Sequence, residues 1–144
     1  MRSETREVGS GKTTNGRAPI KSYRDIEAYQ RSMHILRPLQ TIINRLPKDE
    51  RFELASQMRR ASKSVPANIG EGYALKRSAA HFRSRLDIAL GSANEMVIHL
   101  EIAAVIGYVT QEEVRPLIDE YEVIGKLIYR PSEAWKTFEG STKS

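Results

Sequence analysis

The stretch FRSRLDIALGSANEMVIHLEIAAVIG, residues 82–107, decides the fold class of this chain. Its apolar residues recur at gaps of three and four, which places them on one face of an α-helix. Ser78 precedes the run as a good N-cap, and Gly107 follows it as a natural C-terminal stop. The pattern predicts an amphipathic helix over about 78–106. Its apolar stripe comprises Phe82, Leu86, Ala89, Leu90, Ala93, Met96, Val97, Leu100, Ala103 and Ala104.

The same spacing predicts three more helices on either side of this one. Ser22 and Thr110 are suitable N-caps for the first and the last of them. Pro38 and Pro66 are expected to bend the first two, because proline lacks an amide and crowds the preceding turn. The three helices span about 23–46, 48–72 and 110–130.

Short connections between these helices make successive helices antiparallel neighbours. We therefore predict an all-α fold, an antiparallel up-down-up-down four-helix bundle that occupies residues 22–139. Residues 1–21 are polar and basic and are predicted to be a disordered tail, with a second short tail at 140–144. Trp135 and Phe138 are predicted to lie in a short continuation that packs back on the bundle.

Composition restricts the class of protein. The 144 residues suit one domain, and the absence of cysteine excludes disulfides, thiolate zinc sites and cysteine nucleophiles. The net charge of +5 is unevenly distributed. Residues 48–85 hold nine basic and four acidic residues, whereas residues 86–139 hold four basic and ten acidic ones. With no run of 18 apolar residues, we expect a cytoplasmic protein that does not enter a membrane.

Two stretches of the chain carry a family resemblance. They are QMRRASKSVPANIGEGY at 57–73 and FRSRLDIALGSANE at 82–95, supported by YQRSM at 29–33 and by Leu46-Pro47. Together they resemble the bacterial four-helix-bundle family of proteins encoded in intervening sequences of 23S ribosomal RNA genes. The resemblance covers roughly residues 23–130.

This resemblance implies a bundle that assembles with copies of itself into a ring, a pentamer. It also implies a relation to the accessory Avd proteins of diversity-generating retroelements, in which a basic barrel works with a reverse transcriptase and its RNA. The partners to expect are therefore other copies of the chain, nucleic acid with RNA favoured, and a reverse transcriptase in the retroelement case.

Polar residues accompany the apolar stripe of the second predicted helix, at spacings that keep them on one face. A hydrogen-bonded ladder that fixes helix register is one interpretation, and a polar ligand or RNA site is the other. The small residues Gly91, Ser92 and Ala93 predict close approach of another helix. The polar seam consists of Gln57, Arg60, Ser64, Asn68 and Glu71.

Basic residues of the second helix and of the turn after it are the candidates for phosphate contacts. The alternative is a solvated surface whose cations pair with the acidic third and fourth helices. The nucleic-acid-binding candidates are Arg59, Lys63, Lys76, Arg77, Arg83 and Arg85.

Signatures of catalysis and metal binding are incomplete. GSGKT at 9–13 has Arg6 where a phosphate-binding loop needs glycine, and no strand pattern precedes it. Glu95 and His99 form a single pair, whereas a di-iron bundle needs two such pairs and further carboxylates. We therefore predict no catalytic residues, no metal and no cofactor. The leading interpretation is a non-enzymatic homo-oligomeric scaffold that binds RNA, and the alternative is a protein-interaction adaptor. An enzyme with an unrecognised site is a third, weaker option.

Overall fold

The computed structural model describes residues 19–129, and within them it contains five α-helices and two short 3-10 turns. The helices are α1 (Glu27–His34), α2 (Leu36–Asn44), α3 (Leu54–Ala74), α4 (Ala79–Ile106) and α5 (Gln111–Tyr129). Because α1 and α2 follow each other through a break of one residue, they form the first arm of a four-helix bundle. The predicted all-α fold class is confirmed.

Local signals set several of the helix ends. The Ser78 hydroxyl accepts a hydrogen bond from the amide of His81 at 3.2 Å. Thr110 and Glu113 exchange side-chain and backbone hydrogen bonds of 2.8 and 3.0 Å, a capping box that begins α5. Gly107 ends α4 with φ of 98°, a left-handed conformation that favours glycine.

Other boundaries differ from the prediction. The first predicted helix, 23–46, is divided into α1 and α2 by a break at Ile35, which agrees with the bend predicted from Pro38, because proline cannot donate to the carbonyl of His34 and its ring crowds that turn. The second predicted helix begins at Leu54 and not near 48, since a 3-10 turn at Lys48–Glu50 precedes it. It continues through the buried Pro66 to Ala74.

The predicted disordered tail is too long at its C-terminal side. Ile20 is partly buried and packs against the core. The amide of Lys21 donates to the Asp25 carboxylate at 2.8 Å, within the capped turn Tyr23–Asp25. Residues 1–18, and the predicted continuation with Trp135 and Phe138, lie outside the described residues.

The core lies between four neighbouring helices. α3 packs on α4, α4 packs on α5, and α1 closes the arrangement against both α3 and α5. Met58, Val65, Met96, Leu100 and Tyr121 are fully enclosed there. Burial of such side chains contributes about 1.5–3 kcal/mol each to folding, so this interior stabilises the bundle that positions every candidate site.

Helix α4 is apolar on two opposite faces. One face is the buried stripe that the sequence predicted. The other points away from the core, yet Ile98, Ile102 and Val105 lie on it, and Val105 is 78% exposed. Gly91 lies on this outer face as well, and a β-carbon added there would meet nothing within 4 Å. Of the three small residues predicted to mark close approach of another helix, Ser92 and Ala93 are buried and Ser92 contacts Ser64 of α3, whereas no other helix of the described chain approaches Gly91.

By length and composition alone, α4 is also the described helix that could cross a membrane. Its most apolar window has a mean hydropathy of 1.3, and 33% of that window is buried inside the bundle. A core helix of a soluble protein meets the same criteria. The apolar character of α4 is thus shared between a packed face and a surface face.

Acid should destabilise the start of α5 through Glu113. Its ion pair with Arg45, and next its hydrogen bond from the Thr110 amide, lower the pKa of Glu113 from 4.5 to about 2. A carboxylate with a lowered folded-state pKa contributes stability that is present above its unfolded-state pKa and is lost as the pH falls towards 2. Thermal unfolding followed between about pH 5 and 2 should therefore show a smaller acid-induced decrease in Glu113→Gln than in the wild type. Glu112→Gln, which removes the same charge one residue earlier, should retain the wild-type decrease.

Candidate nucleic-acid interface

The turn between α3 and α4 gathers part of the predicted basic set at one end of the bundle. Lys76 and Arg77 lie in the turn, and Arg83 is exposed in the second turn of α4. The ammonium of Lys76 lies 4.0 Å from the ring centroid of Tyr73, which holds the side chain beside the end of α3. We call Lys76, Arg77 and Arg83 the hairpin cluster.

The structure separates two predicted residues from this cluster. Lys63 is exposed on α3, about 16 Å along the axis from the end of that helix at Ala74. Arg59, half-buried, lies one turn farther away. The predicted set is therefore divided between the end of the bundle and the outer side of α3.

Arg85, the sixth predicted residue, belongs to a contact between α3 and α4. Its guanidinium lies 3.3 Å from the Glu71 carboxylate and donates to the Asn68 side-chain oxygen, also at 3.3 Å. A half-buried arginine held by two partners on the neighbouring helix has fewer donors to offer a phosphate. Arg85 therefore belongs to the polar seam between α3 and α4, and it is less available for contact with a phosphate.

The polar seam forms a ladder over half of its predicted length. The side-chain amide of Asn68 donates to the backbone carbonyl and to the hydroxyl of Ser64 at 2.9 and 3.0 Å. The Ser92 hydroxyl donates to that of Ser64 at 2.9 Å, which joins α4 to α3. Gln57 and Arg60 are exposed on α3. The geometry supports the structural interpretation for Ser64, Asn68 and Glu71.

Removing Asn68 should destabilise the bundle. Asn68 is 8% exposed, and Asn68→Ala would leave Ser64 and Arg85 without their shared partner. Unpaired buried polar groups cost about 1–3 kcal/mol, so the free energy of unfolding in urea should fall by about that amount. Gln57→Ala, an exposed member of the same predicted seam, should change it by less than about 0.5 kcal/mol. Equal stability of the two variants would contradict a structural ladder.

A groove of about 510 Å³ runs between α1 and α3. Its floor is largely apolar, with Tyr29 and Met33 of α1 and Leu36 of α2 on one side. Lys63 and Glu71, both exposed, are its charged residues. The α3 side of the groove is completed by Pro66, Ala67, Gly70 and Ala74.

Buried polar groups elsewhere do not converge on a reaction site. Within residues 19–129 no group of three or more potential metal ligands occurs. The Tyr121 hydroxyl is enclosed in the core without a hydrogen-bond partner, and burial raises the pKa of this phenol. His99 is buried on α4, where its Nε2 lies 3.0 Å from the Glu95 carboxylate and its Nδ1 has no hydrogen-bond partner. Neither Tyr121 nor His99 lines the groove.

One exposed basic residue beside the second half of α3 was not among the predicted candidates. Arg24 is exposed and lies over the Tyr23 ring, 4.6 Å from its centroid. The Tyr23 ring lies 3.7 Å from the β-carbon position of Gly70, so this turn packs against the second half of α3. No local pattern signals this proximity, since it depends on how the first arm packs against α3.

Comparisons with known proteins agree with this architecture. The family model described as 23S rRNA-intervening sequence protein matches residues 24–130. A solved structure, a protein of unknown function from the S23 ribosomal protein family of Bacteroides thetaiotaomicron VPI-5482, is similar with a TM-score of 0.62 and 27% sequence identity. The match covers 70% of this chain and 94% of that one. No curated protein matches the chain. Since the family model spans most of its length, the chain belongs to the family of 23S rRNA-intervening sequence proteins.

Proposed function

We propose that this protein is a non-enzymatic homo-oligomeric scaffold, a pentameric ring by resemblance to its family, that binds RNA through the hairpin cluster. The observation that carries the proposal is the gathering of Lys76, Arg77 and Arg83 at one end of the bundle. Each copy contributes one such end, and an assembly repeats it. Repetition strengthens the attraction for a phosphate backbone without any change in the individual contacts.

Charge supports the location of this surface. Residues 71–85 hold Lys76, Arg77, Arg83 and Arg85 against the single acid Glu71. Four basic residues and one acid leave this turn with a net positive charge. Phosphate contacts of this kind position a nucleic acid without reading its sequence. RNA is favoured over DNA by the family name alone.

The outer face of α4 supports the homo-oligomer. A helix that is apolar on two opposite faces normally has a neighbour on each of them. In the described chain, α4 has helical neighbours only on its core side. Packing against other copies would remove Ile98, Ile102 and Val105 from water.

A salt titration tests RNA binding directly. Affinity for a fluorescent RNA hairpin should fall linearly on a double-logarithmic plot against salt, with a slope of about −0.7 to −0.9 per phosphate contact. A DNA hairpin of the same sequence separates RNA preference from general attraction to phosphate. Absence of binding at low salt would contradict the proposal.

The second candidate function is an adaptor that docks another protein. It is favoured by the same exposed face of α4, which a protein partner could cover as well as another copy could. A partner recovered by affinity purification that persists after nuclease treatment would support the adaptor. Loss of all partners after nuclease treatment would favour RNA binding.

A further inference from the structure

We propose that the residues that follow α5, 130–144, fold back along the bundle and bind in the α1–α3 groove of their own chain, with Trp135 and Phe138 as anchors. This contact uses neither the hairpin cluster nor the outer face of α4, so it is independent of RNA binding and of assembly. Four features of the molecule support it: the shape of the groove, the place where α5 ends, the residues that follow α5, and the charges along the groove.

The groove presents apolar surface to solvent within the part of the chain that the structure describes. Met33 on one wall is 44% exposed. The opposite wall consists of small residues of α3 at gaps of three and four, Ala67, Gly70 and Ala74, and both alanines are exposed. Small residues on one wall leave room for large side chains between two packed elements. The volume of about 510 Å³ lies within the range of clefts that bind large apolar groups.

Helix α5 ends beside the open end of this groove. Arg31 of α1 contacts Glu120 of α5 at 2.9 Å, and the first arm and α5 run antiparallel. Tyr129 lies nine residues beyond Glu120 and ends α5. The Tyr23 turn lies eight residues before Arg31, so Tyr129 and this turn are at about the same level of the bundle. Because the Tyr23 ring lies 3.7 Å from the β-carbon position of Gly70, the chain leaves α5 level with the Gly70 end of the groove.

The chain after α5 is long enough to reach the groove. Fifteen residues follow Tyr129, and Trp135 is the sixth of them. Six residues span up to about 20 Å when extended. Neighbouring helices lie about 8–10 Å apart, and α1 packs against both α5 and α3. A path from the end of α5 past α1 is therefore short enough for Trp135 to enter the groove.

The residue types after α5 suit this groove. Trp135 and Phe138 are three residues apart, the spacing at which two side chains share one side of a helical segment. Ala67 and Gly70 have the same spacing on the α3 wall. A segment antiparallel to α3 sets Trp135 against Gly70, and Phe138 then falls against Ala67. Aromatic anchors at such spacings bind amphipathic segments in grooves. Residues 1–18 contain no aromatic residue, so the other terminal segment lacks these anchors.

Charges along the segment complement those along the groove. Lys63 and Glu71 are the charged residues of the groove, and Glu71 is nearer to the end at which the segment enters. Along the segment Lys136 comes first and Glu139 second, so each meets the groove residue of opposite sign. Lys63 has no ion pair within residues 19–129, whereas Glu71 already contacts Arg85 at 3.3 Å. The pair of Lys63 with Glu139 is therefore the one whose loss should be measurable.

The fluorescence of Trp135 tests the contact, because the chain contains one tryptophan. Ala67→Glu places a carboxylate in the middle of the groove, where burial of an unpaired charge is costly. The emission maximum of Ala67→Glu should shift to longer wavelength than that of the wild type. Its acrylamide quenching constant should rise at least about twofold, since the segment is displaced and the indole loses the cover of the groove.

Gln57→Glu provides the matched control. It adds the same charge at an exposed position of α3 outside the groove, so its emission and quenching should equal those of the wild type. Both substituted positions are exposed, and far-UV circular dichroism should show unchanged helix content in both variants. If acrylamide reaches Trp135 equally in Ala67→Glu and in the wild type, the segment does not occupy the groove, whether the indole is exposed in both or protected in both.

Charge exchange tests the direction of the segment. Lys63→Glu and Glu139→Lys should each raise the quenching constant of Trp135, by a smaller factor than Ala67→Glu, because two like charges then meet. The double variant should return to the wild-type value, since the pair is restored in reverse. Singles that match the wild type, or a double that stays as accessible as the singles, would overturn the proposed position of Glu139.

A fluorescent label locates the segment while both anchors stay in place. Because the chain contains no cysteine, Ala74→Cys can be labelled with bimane at a single position. Tryptophan quenches bimane on close contact, so this label should become brighter when Trp135→Phe is added. The same label at Gln57→Cys should be equally bright with and without Trp135. A label at Ala74→Cys that does not respond to Trp135 places the segment elsewhere and overturns the proposal.

Mixing shows which copy supplies the segment. Labelled Ala74→Cys that also carries Trp135→Phe is mixed with unlabelled wild-type protein. The label should stay bright in the mixture, because each groove is occupied by the segment of its own chain. Quenching that increases with the proportion of wild-type protein would show that the segment comes from another copy, and the contact within one chain would then be wrong.

Discussion

Reversing the charges of Arg77 and Arg83 together should weaken RNA binding by about 100-fold at moderate salt. Both side chains are exposed at the end of the bundle, and each substitution by glutamate replaces an attraction to phosphate by a repulsion. The slope of the salt titration should also decrease by about one for each phosphate contact removed. Fluorescence anisotropy with an RNA hairpin over a series of salt concentrations measures both effects.

A matched pair at the opposite end of the bundle provides the control. Lys48 and Arg115 are exposed, and reversing them changes the net charge by the same amount. If binding depends on the location of charge, this control should retain nearly all of the affinity. If it depends only on net charge, the two variants should lose affinity equally, and that result would remove the hairpin cluster from the interface.

Local signals in the sequence were sufficient for much of the fold. The Ser78 cap and the Gly107 stop each act through atoms within a few residues, so their pattern predicts the bounds of α4 closely. Pro38 predicted the interruption of the first arm for the same reason. The start of α3 was predicted too early. Lys48–Glu50 forms a 3-10 turn, and its residue types do not distinguish such a turn from the first turn of an α-helix.

The candidate site was predicted less well, because its members are brought together by tertiary contacts. Arg85 and Arg83 are two residues apart in a basic stretch, and nothing local distinguishes them. In the structure Arg85 points to Glu71 and Asn68 on α3, whereas Arg83 belongs to the hairpin cluster. A helical period shows which residues share a face, and the neighbour of that face depends on packing.

The two faces of α4 show the same limit. The buried stripe and the exposed stripe have equal spacing, so periodicity alone cannot show which one faces the core. The small residues Gly91, Ser92 and Ala93 predict close approach of another helix, yet only Ser92 and Ala93 lie on the buried face, and the surroundings of Gly91 are open. Only the positions of α3 and α5 assign the inner face to Leu100 and the outer face to Ile98.

Two alanine substitutions on α4 should separate these faces. Leu100 is fully buried, and Leu100→Ala should lower the free energy of unfolding by about 2–5 kcal/mol through lost burial and the cavity that remains. Ile98 is 54% exposed, so Ile98→Ala should change the unfolding of the monomer by less than about 1 kcal/mol. Urea unfolding at a protein concentration low enough to give monomers measures both.

At a protein concentration high enough for assembly, Ile98→Ala should affect stability more than it does in the monomer. If the outer face of α4 is covered in the assembly, the stability of the wild type increases with concentration, because association is linked to folding. Ile98→Ala should reduce that increase, since it removes apolar contact from the interface while the core is unchanged. Leu100→Ala should instead lower stability by the same amount at every concentration at which it still assembles. A concentration dependence that is identical in Ile98→Ala and the wild type would place the interface elsewhere on the bundle.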